Sequence, residues 1–203
     1  MTKIKYVCSL GFNCHTAHFM KAHNIKAASY PFDWIMSNLM VVKNSIEDDF
    51  AEFLNKKSYV RLNLPTGCGH INYCEHMFFH HNPLENENDY LYFNRCVERF
   101  RTLLKNPELK LFIIMSNSLS DEIRTNFIDF DNFLKNYTEN YKILVIINYP
   151  DKKMNTHKVT NINNLIFLEI DTLTSINVIN YQNNIDNIYL YERIKTVLDA
   201  DYI

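Results

Sequence analysis

The sequence predicts an α/β fold in which helices on both faces of a mostly parallel sheet make three layers. Residues 111–115 and 143–147 are almost entirely apolar, as is typical of parallel strands buried on both faces. Residues 121–137 lie between them and have apolar side chains at helical spacing. Strands that alternate with helices along a chain pair in parallel through right-handed crossovers. We therefore expect one α/β domain over residues 1–203.

The amino-terminal part predicts a strand, a helix and a packed loop. Residues 4–10 are strand-like, and residues 13–23 have the apolar spacing of a helix, with Asn13 as its cap. Residues 27–35 contain the only tryptophan and are interrupted by Pro31, which is unfavourable inside a helix. We expect this segment to be an extended loop that packs against the core.

Two helices flank the least regular part of the chain. The first begins at a cap, Ser37 or Asn38, and its apolar face continues to about Leu54. The second spans residues 89–105. Residues 56–88 mix strand-like alternation with turn residues, and we interpret them as an irregular insertion.

The last elements complete the sheet and indicate where a ligand binds. Residues 165–170 predict a further strand, and residues 188–198 predict the closing helix. In open α/β sheets, ligands bind at the carboxyl ends of the strands, near the point where the strand order reverses. The polar residues that follow predicted strands at that edge are Ser116, Asn117, Ser118, Asn148, Tyr149, Asp171 and Thr172.

Composition and charge narrow the class of protein. The net charge of -2 and the absence of a Lys/Arg cluster leave no basic surface for nucleic acid. The sequence has no signal-like or long apolar segment, so we expect a cytoplasmic protein without a membrane partner. Five cysteines without disulfide-scaffold spacing indicate reduced thiols. Neither a Gly-x-Gly-x-x-Gly nor a Walker motif occurs, and we expect no cofactor.

The segment from Tyr6 to Cys14 combines a strand, a glycine turn and a cysteine at the start of a helix. The unpaired N–H groups and partial positive charge of a helix N-terminus favour a thiolate and lower a cysteine pKa below about 8.5. Cys14 is therefore a candidate nucleophile, and the N–H groups from Gly11 to Cys14 are candidate oxyanion donors. The alternative is that Cys14 is a small apolar packing residue.

A second group of chemically active residues lies in the insertion. Four of the usual zinc ligands fall at even-numbered positions there: Cys68, His70, Cys74 and His76. An extended segment would project all four from one face, and two cysteines with two histidines can bind tetrahedral zinc. Their spacing differs from the paired pattern of zinc modules, so a plain loop is the alternative.

A cysteine nucleophile needs an imidazole to accept its proton and a polar group to orient that ring. His80 and His81 are the candidate bases, because the aromatic residues before them can anchor one of them in a partly buried place. Asp33 is the candidate orienting carboxylate, with helix capping or pairing with an arginine as its structural alternatives. Arg95 and Arg99 are one helical turn apart and either clamp a phosphate or carboxylate or face solvent.

Four motifs of this chain occur in the order found in one protein family. They are Ser9-Leu10-Gly11-x-Asn13-Cys14, Pro31-Phe32-Asp33-Trp34, Phe78 to His81, and Arg95-x-x-x-Arg99-Phe100. In these motifs the chain resembles a family of unknown function that is catalogued as papain-like cysteine peptidases. The resemblance implies that Cys14 is the nucleophile and that His80 or His81 is the base. A cysteine after the first strand of a parallel sheet also resembles the nucleophile of SGNH-type hydrolases, and we expect an SGNH-like or flavodoxin-like architecture.

The leading hypothesis is a cysteine hydrolase or acyltransferase that forms an acyl-enzyme on Cys14 and acts on a small molecule, glycan or peptide. The residues expected to bind the substrate are Gly11, Asn13, Asn117, Arg95 and Arg99. The first alternative is a non-catalytic module whose turn at residues 11–14 binds the phosphate of a nucleotide, nucleotide-sugar or coenzyme. The second alternative is a zinc-stabilised interaction protein. The sequence indicates no oligomeric state.

Overall fold

Strands and helices alternate along the chain in a computed structural model that describes residues 3–12, 14–62, 67–116, 118–177 and 180–200. The strands are β1 (Tyr6–Ser9), β2 (Tyr59–Arg61), β3 (Cys68–His70), β4 (Cys74–Phe78), β5 (Lys110–Ser116), β6 (Tyr141–Tyr149), β7 (Thr156–Ile162), β8 (Leu165–Asp171), β9 (Ile176–Asn177) and β10 (Asn180–Tyr181). The helices are α1 (Cys14–Ala22), α2 (Leu39–Glu47), α3 (Glu87–Lys105), α4 (Asp121–Leu134) and α5 (Asn184–Asp199). Within these described ranges, no helix combines the length and apolarity needed to cross a membrane.

The central sheet has five strands in the order β1-β5-β6-β8-β7. The first four pair in parallel with their neighbours, whereas β7 pairs antiparallel with β8. The prediction of an α/β fold with a mostly parallel sheet is therefore confirmed. From β1 to β8 the strand order runs in one direction, so the strand order does not reverse beside β1 in the described sheet.

Buried side chains on the strands alternate between two clusters. Phe112 and Ile114 belong to one cluster, together with residues of α2, α3 and α4. Leu111 and Ile113 belong to the other, together with residues of α1 and α5. Because successive residues of a strand point to opposite faces, this division explains why β5 and β6 are apolar at almost every position.

The insertion at residues 56–88 is more regular than the sequence predicts. Its strands β2, β3 and β4 form an antiparallel sheet in that order. The two strands β3 and β4 approach closely at Gly69, where a Cβ atom would lie 2.0 Å from the backbone oxygen of Glu75. The strand-like alternation noted within residues 56–88 corresponds to β2 and β4, and the interpretation as an irregular insertion understates the regularity of this part because each strand has only three to five residues.

Helix α2 begins where the sequence predicts and ends early. Asn38 caps it, since the Asn38 side chain accepts a hydrogen bond from the backbone N–H of Val41 at 2.9 Å. The helix does not reach Leu54, because Asp49 and Phe50 adopt positive φ angles of 52° and 61°. A left-handed pair of non-glycine residues is incompatible with a continuing right-handed helix.

Candidate functional site

A tight turn after β1 places Cys14 at the carboxyl end of that strand. Gly11 and Phe12 both have a φ of 85°, in the left-handed region. A Cβ atom on Gly11 would lie 2.1 Å from Ser37 Oγ and 2.9 Å from the backbone oxygen of Phe32. Glycine is therefore required at residue 11 by both conformation and space. The close approach holds the turn against the loop that precedes α2.

The backbone N–H groups of this turn are engaged within the protein. The N–H of Gly11 donates to Ser9 Oγ at 3.0 Å, and the N–H of Phe12 donates to Ser37 Oγ, also at 3.0 Å. The expectation that these two groups hold an oxyanion or a phosphate is therefore wrong for this structure. The N–H groups at the start of α1 are a better source of donors, because the first turn of a helix has no internal acceptors.

Cys14 is the first residue of α1, and its side chain is half-buried. Burial raises the pKa of the Cys14 thiol, and the backbone N–H of the same residue lowers it by a smaller amount. The sequence predicts a lowered pKa for a cysteine at the start of this helix, whereas in this structure the pKa of the Cys14 thiol is raised. Because the thiolate is the nucleophilic form, a nucleophilic role for Cys14 would require a base.

The histidine next to Cys14 is unsuited to act as that base. His15 is buried against the rings of Phe19 and Tyr181, at centroid distances of 6.2 Å and 5.7 Å. Burial lowers the pKa of His15 to about 4. The imidazole is therefore neutral at pH 7, and taking up a proton inside the protein costs free energy.

The two candidate bases follow β4 and have different surroundings. His80 is exposed, and its ring lies nearly perpendicular to that of Trp34 at a centroid distance of 5.9 Å. His81 stacks on Tyr92 at 4.6 Å, and His81 Nδ1 lies 3.1 Å from Asp89 Oδ1. A carboxylate and an aromatic ring thus orient the imidazole of His81, as a catalytic base requires. No local sequence pattern connects Asp89, in the first turn of α3, with this histidine.

The structure does not preform a pair between Cys14 and an imidazole. Among the described residues, the contacts of His80 are with Trp34 and those of His81 are with Asp89, Tyr92 and Phe93, rather than with Cys14. Catalytic hydrogen bonds commonly become short only in the substrate complex. The free protein therefore presents the candidate nucleophile Cys14 and the oriented His81 as separate features.

Asp33 is fully buried and pairs with a lysine. Asp33 Oδ2 accepts a hydrogen bond from Lys26 Nζ and another from the backbone N–H of Tyr30, the latter at 2.8 Å. Burial raises the pKa of Asp33, and the charge of Lys26 is the main opposing influence. The described residues provide no imidazole partner for this carboxylate, so the expected orienting role has no support. Asp33 instead fixes the loop that contains Tyr30.

Arg95 and Arg99 are both exposed, which agrees with the solvent-facing alternative. Arg99 Nη1 also donates to the backbone oxygen of Ser29 at 2.8 Å. Arg99 also lines a surface depression with Tyr6, the first residue of β1. It therefore lies toward the amino end of the sheet, and Cys14 follows the carboxyl end.

The candidate zinc ligands do not converge. His70 Nε2 lies 3.0 Å from the backbone oxygen of Glu52, and His70 Nδ1 accepts a hydrogen bond from the backbone N–H of Asn72 at 3.3 Å. Both ring nitrogens are thus engaged, while Cys68 is buried and His76 is exposed. Among the residues that the structure describes, no three His, Cys, Asp or Glu side chains are arranged to hold a metal ion. This arrangement does not fit the zinc-stabilised alternative.

A cavity of about 690 Å³ opens at the carboxyl end of β5, between α2 and α4. Phe12, from the turn before Cys14, forms part of its wall, as does Ser116 at the end of β5. The remaining apolar lining consists of Leu39, Met40, Ile114, Ile123, Phe127 and Phe130. The cavity therefore adjoins the turn that carries the candidate nucleophile.

The polar residues at the carboxyl edge of the sheet bind mostly one another. Asn148 Oδ1 accepts hydrogen bonds from Thr172 Oγ1 at 2.9 Å and from the Tyr181 hydroxyl at 3.1 Å. Ser116 Oγ donates to the backbone oxygen of Ser118 at 2.9 Å. These hydrogen bonds stabilise the carboxyl ends of β5 and β6. Two residues expected to bind substrate lie outside the described residues, namely Asn13 and Asn117.

Comparison with known proteins identifies a family. A family model described as "Putative papain-like cysteine peptidase (DUF1796)" matches residues 5–148. The match covers more than two thirds of the chain and includes Cys14, His80 and His81. Neither a curated protein nor a solved structure gives a significant match.

Proposed function

The chain belongs to the DUF1796 family, and from this premise we propose that it is a cysteine hydrolase or acyltransferase with Cys14 as the nucleophile. The observation that carries the proposal is the position of Cys14. Its half-buried side chain begins α1 at the carboxyl end of β1, and Phe12 of the same turn lines a cavity of about 690 Å³. Nucleophile and ligand space therefore meet at the edge where α/β sheets bind their ligands.

The proposed reaction has two acyl-transfer steps. The base takes the Cys14 proton, the sulfur attacks a carbonyl carbon, and N–H groups at the start of α1 stabilise the oxyanion. The bond to the leaving group then breaks, and the leaving group receives the proton from the base. Water or an acceptor hydroxyl next attacks the thioester and releases Cys14. Attack by water gives hydrolysis, and attack by another acceptor gives transfer.

His81 is the proposed base. The Asp89 carboxylate at 3.1 Å and the stacked Tyr92 ring hold its imidazole in one orientation. His80 has only the edge contact with Trp34 among the contacts that the structure describes, so its ring is less constrained. The proposal places the hydrogen bond between Cys14 and His81 in the substrate complex, where such bonds tighten.

Acylation by an activated ester tests the nucleophile directly. We expect p-nitrophenyl acetate to leave an acetyl group on the peptide that contains Cys14, as detected by mass spectrometry after digestion. Cys14→Ser removes this thioester adduct. Cys74→Ser is the matched control, because Cys74 is also a half-buried free cysteine, and this variant retains the adduct. An adduct that is absent from wild type would refute the proposal.

Single substitutions distinguish the two histidines. We expect His81→Asn to lower the acylation rate by about 100-fold or more, the usual range for loss of a general base. Asp89→Asn lowers the rate less and changes its pH profile, since Asp89 acts through the imidazole. His80→Asn is the matched control and leaves the rate within a few-fold of wild type. A large loss in His80→Asn alone would contradict the assignment.

A further inference from the structure

The cavity beside the turn has an apolar interior that the reaction at Cys14 does not itself require. Its deepest lining residues include Ile114, Phe127 and Phe130, which are 1%, 3% and 3% exposed. We propose that this cavity binds the aliphatic acyl chain of the substrate whose carbonyl group Cys14 attacks. The inference rests on the proposed function and adds the class of substrate to it.

The cavity is correctly placed to receive such a chain. β1 pairs with β5 so that Ser9 is opposite Ile113, and the backbone N–H of Leu10 donates to the oxygen of Ile113 at 2.9 Å. The carboxyl ends of the two strands are therefore adjacent. One strand continues through the turn to Cys14, and the other ends at Ser116 in the cavity wall. Phe12 precedes Cys14 by two residues and lies in the cavity wall, so the proposed acyl chain enters the cavity beside Phe12.

The lining selects an uncharged, flexible group. The two charged residues of the lining, Lys43 and Asp129, have opposite signs, and both are exposed at the rim. The interior thus offers no charge to pair with an ionic ligand, and burial of an ion there is unfavourable. Met40 at the rim is 69% exposed and supplies a flexible apolar contact.

The size of the cavity agrees with a chain of several methylene groups. A volume of about 690 Å³ is within the range of roughly 300–1,000 Å³ found for small-molecule sites. Each buried methylene strengthens binding by about fourfold. Affinity should therefore increase steeply with chain length until the cavity is filled.

Binding of fatty acid anions to the Cys14→Ala protein tests the inference without any acyl chemistry. We expect calorimetric dissociation constants to fall from hexanoate to octanoate to decanoate, by about sixteenfold for each pair of added methylenes. Ile123→Trp fills the cavity from α4 and weakens decanoate binding at least tenfold. Ile188→Trp is the matched control, since Ile188 is a half-exposed residue of α5 outside the cavity lining, and it leaves binding unchanged.

A second variant keeps the test decisive if Ile123→Trp fails to fold. Asn126 is exposed on α4 at the rim, so Asn126→Trp should fold and obstruct the entrance. Affinity that is independent of chain length, or equal in Asn126→Trp and the parent protein, would overturn the inference. The proposed function fails separately, through the missing acetyl adduct on Cys14. Adduct formation without binding of the chain would refute only the cavity assignment.

Discussion

Burial controls the protonation of three side chains close to β1 and α1. It raises the pKa of the Cys14 thiol and of the Asp33 carboxyl, and it lowers the pKa of the His15 imidazole. Asp33 has a compensating partner in the ammonium group of Lys26. At neutral pH the free protein therefore presents Cys14 as a protonated thiol. The proposed reaction therefore needs a base that reaches the Cys14 sulfur in the substrate complex.

The lowered pKa of His15 predicts a loss of stability in acid. The imidazole titrates near 6.5 in the unfolded chain and at about 4 in the folded protein. Between these values the unfolded state binds more protons, so the free energy of unfolding decreases as pH falls from about 6.5 to about 4. The contribution of this group is fully present above pH 6.5, and its loss is of the order of 3 kcal/mol. Urea unfolding at pH 7 and pH 4.5 measures it.

A variant separates the His15 contribution from other acid effects. His15→Leu keeps an apolar side chain beside Phe19 and removes the titrating group, so its stability should depend less on pH over this range. His76→Leu, at an exposed position of β4, is the matched control and should retain the wild-type dependence. If the His15 variant and wild type lost equal stability between the two pH values, the prediction would be incorrect.

Local patterns predict residues whose role depends on their immediate neighbours. Asn38 caps α2 through the N–H of Val41, three positions later, and Cys14 begins a helix after a glycine turn. Local patterns do not predict the hydrogen-bond partners of Phe12 and His81. Ser37 is 25 positions from Phe12, and Asp89 is eight positions from His81. Such pairs depend on how the loops pack, which spacing along the chain does not encode.

Among the elements, the β1–α1 turn depends most strongly on one side chain. Gly11→Ala would introduce a Cβ atom at a φ of 85°, 2.1 Å from Ser37 Oγ. Conformational strain and this contact together should lower the free energy of unfolding by roughly 2 kcal/mol or more. Urea unfolding monitored by the single tryptophan, Trp34, provides the measurement.

A double variant identifies the origin of the Gly11→Ala effect. Ser37→Ala removes the Oγ atom that the new methyl group would meet, so Gly11→Ala should cost less in that background than in wild type. The strain from the positive φ remains in both backgrounds. Wild-type stability of the single variant would show that the turn tolerates a side chain.

Long elements were easier to predict than short ones. The predicted strands at 111–115 and 143–147 correspond to β5 and β6, and the predicted helix at 89–105 corresponds to α3. These elements carry many apolar residues at a regular period. By contrast, β7 was missed because most of its side chains are exposed, Val159 among them at 49%. An exposed edge strand carries almost no hydrophobic signal.

At the scale of the whole molecule, the sheet topology differs from that of papain, the protein named in the family description. The family model is described as papain-like, whereas Cys14 follows the first strand of a mostly parallel sheet. Papain combines a helical domain with an antiparallel barrel. Different folds can place a cysteine at the start of a helix. The sheet topology therefore does not determine the chemistry at Cys14, and the family description does not determine the fold. Peptide hydrolysis is therefore one of several acyl transfers that agree with the proposed role of Cys14.

The central sheet and the β2–β3–β4 sheet are expected to unfold at different free energies. β5 and β6 are buried almost throughout, and each lies between two paired strands. β2 has three residues, pairs on one side only in the described sheet, and exposes Val60 at 41%. We expect amides of β5 and β6 to exchange with deuterium only through global unfolding, and amides of β2 to exchange faster through local opening. Native-state exchange measured by mass spectrometry at increasing urea tests this order, and equal urea dependence in both sheets would instead show one cooperative unit.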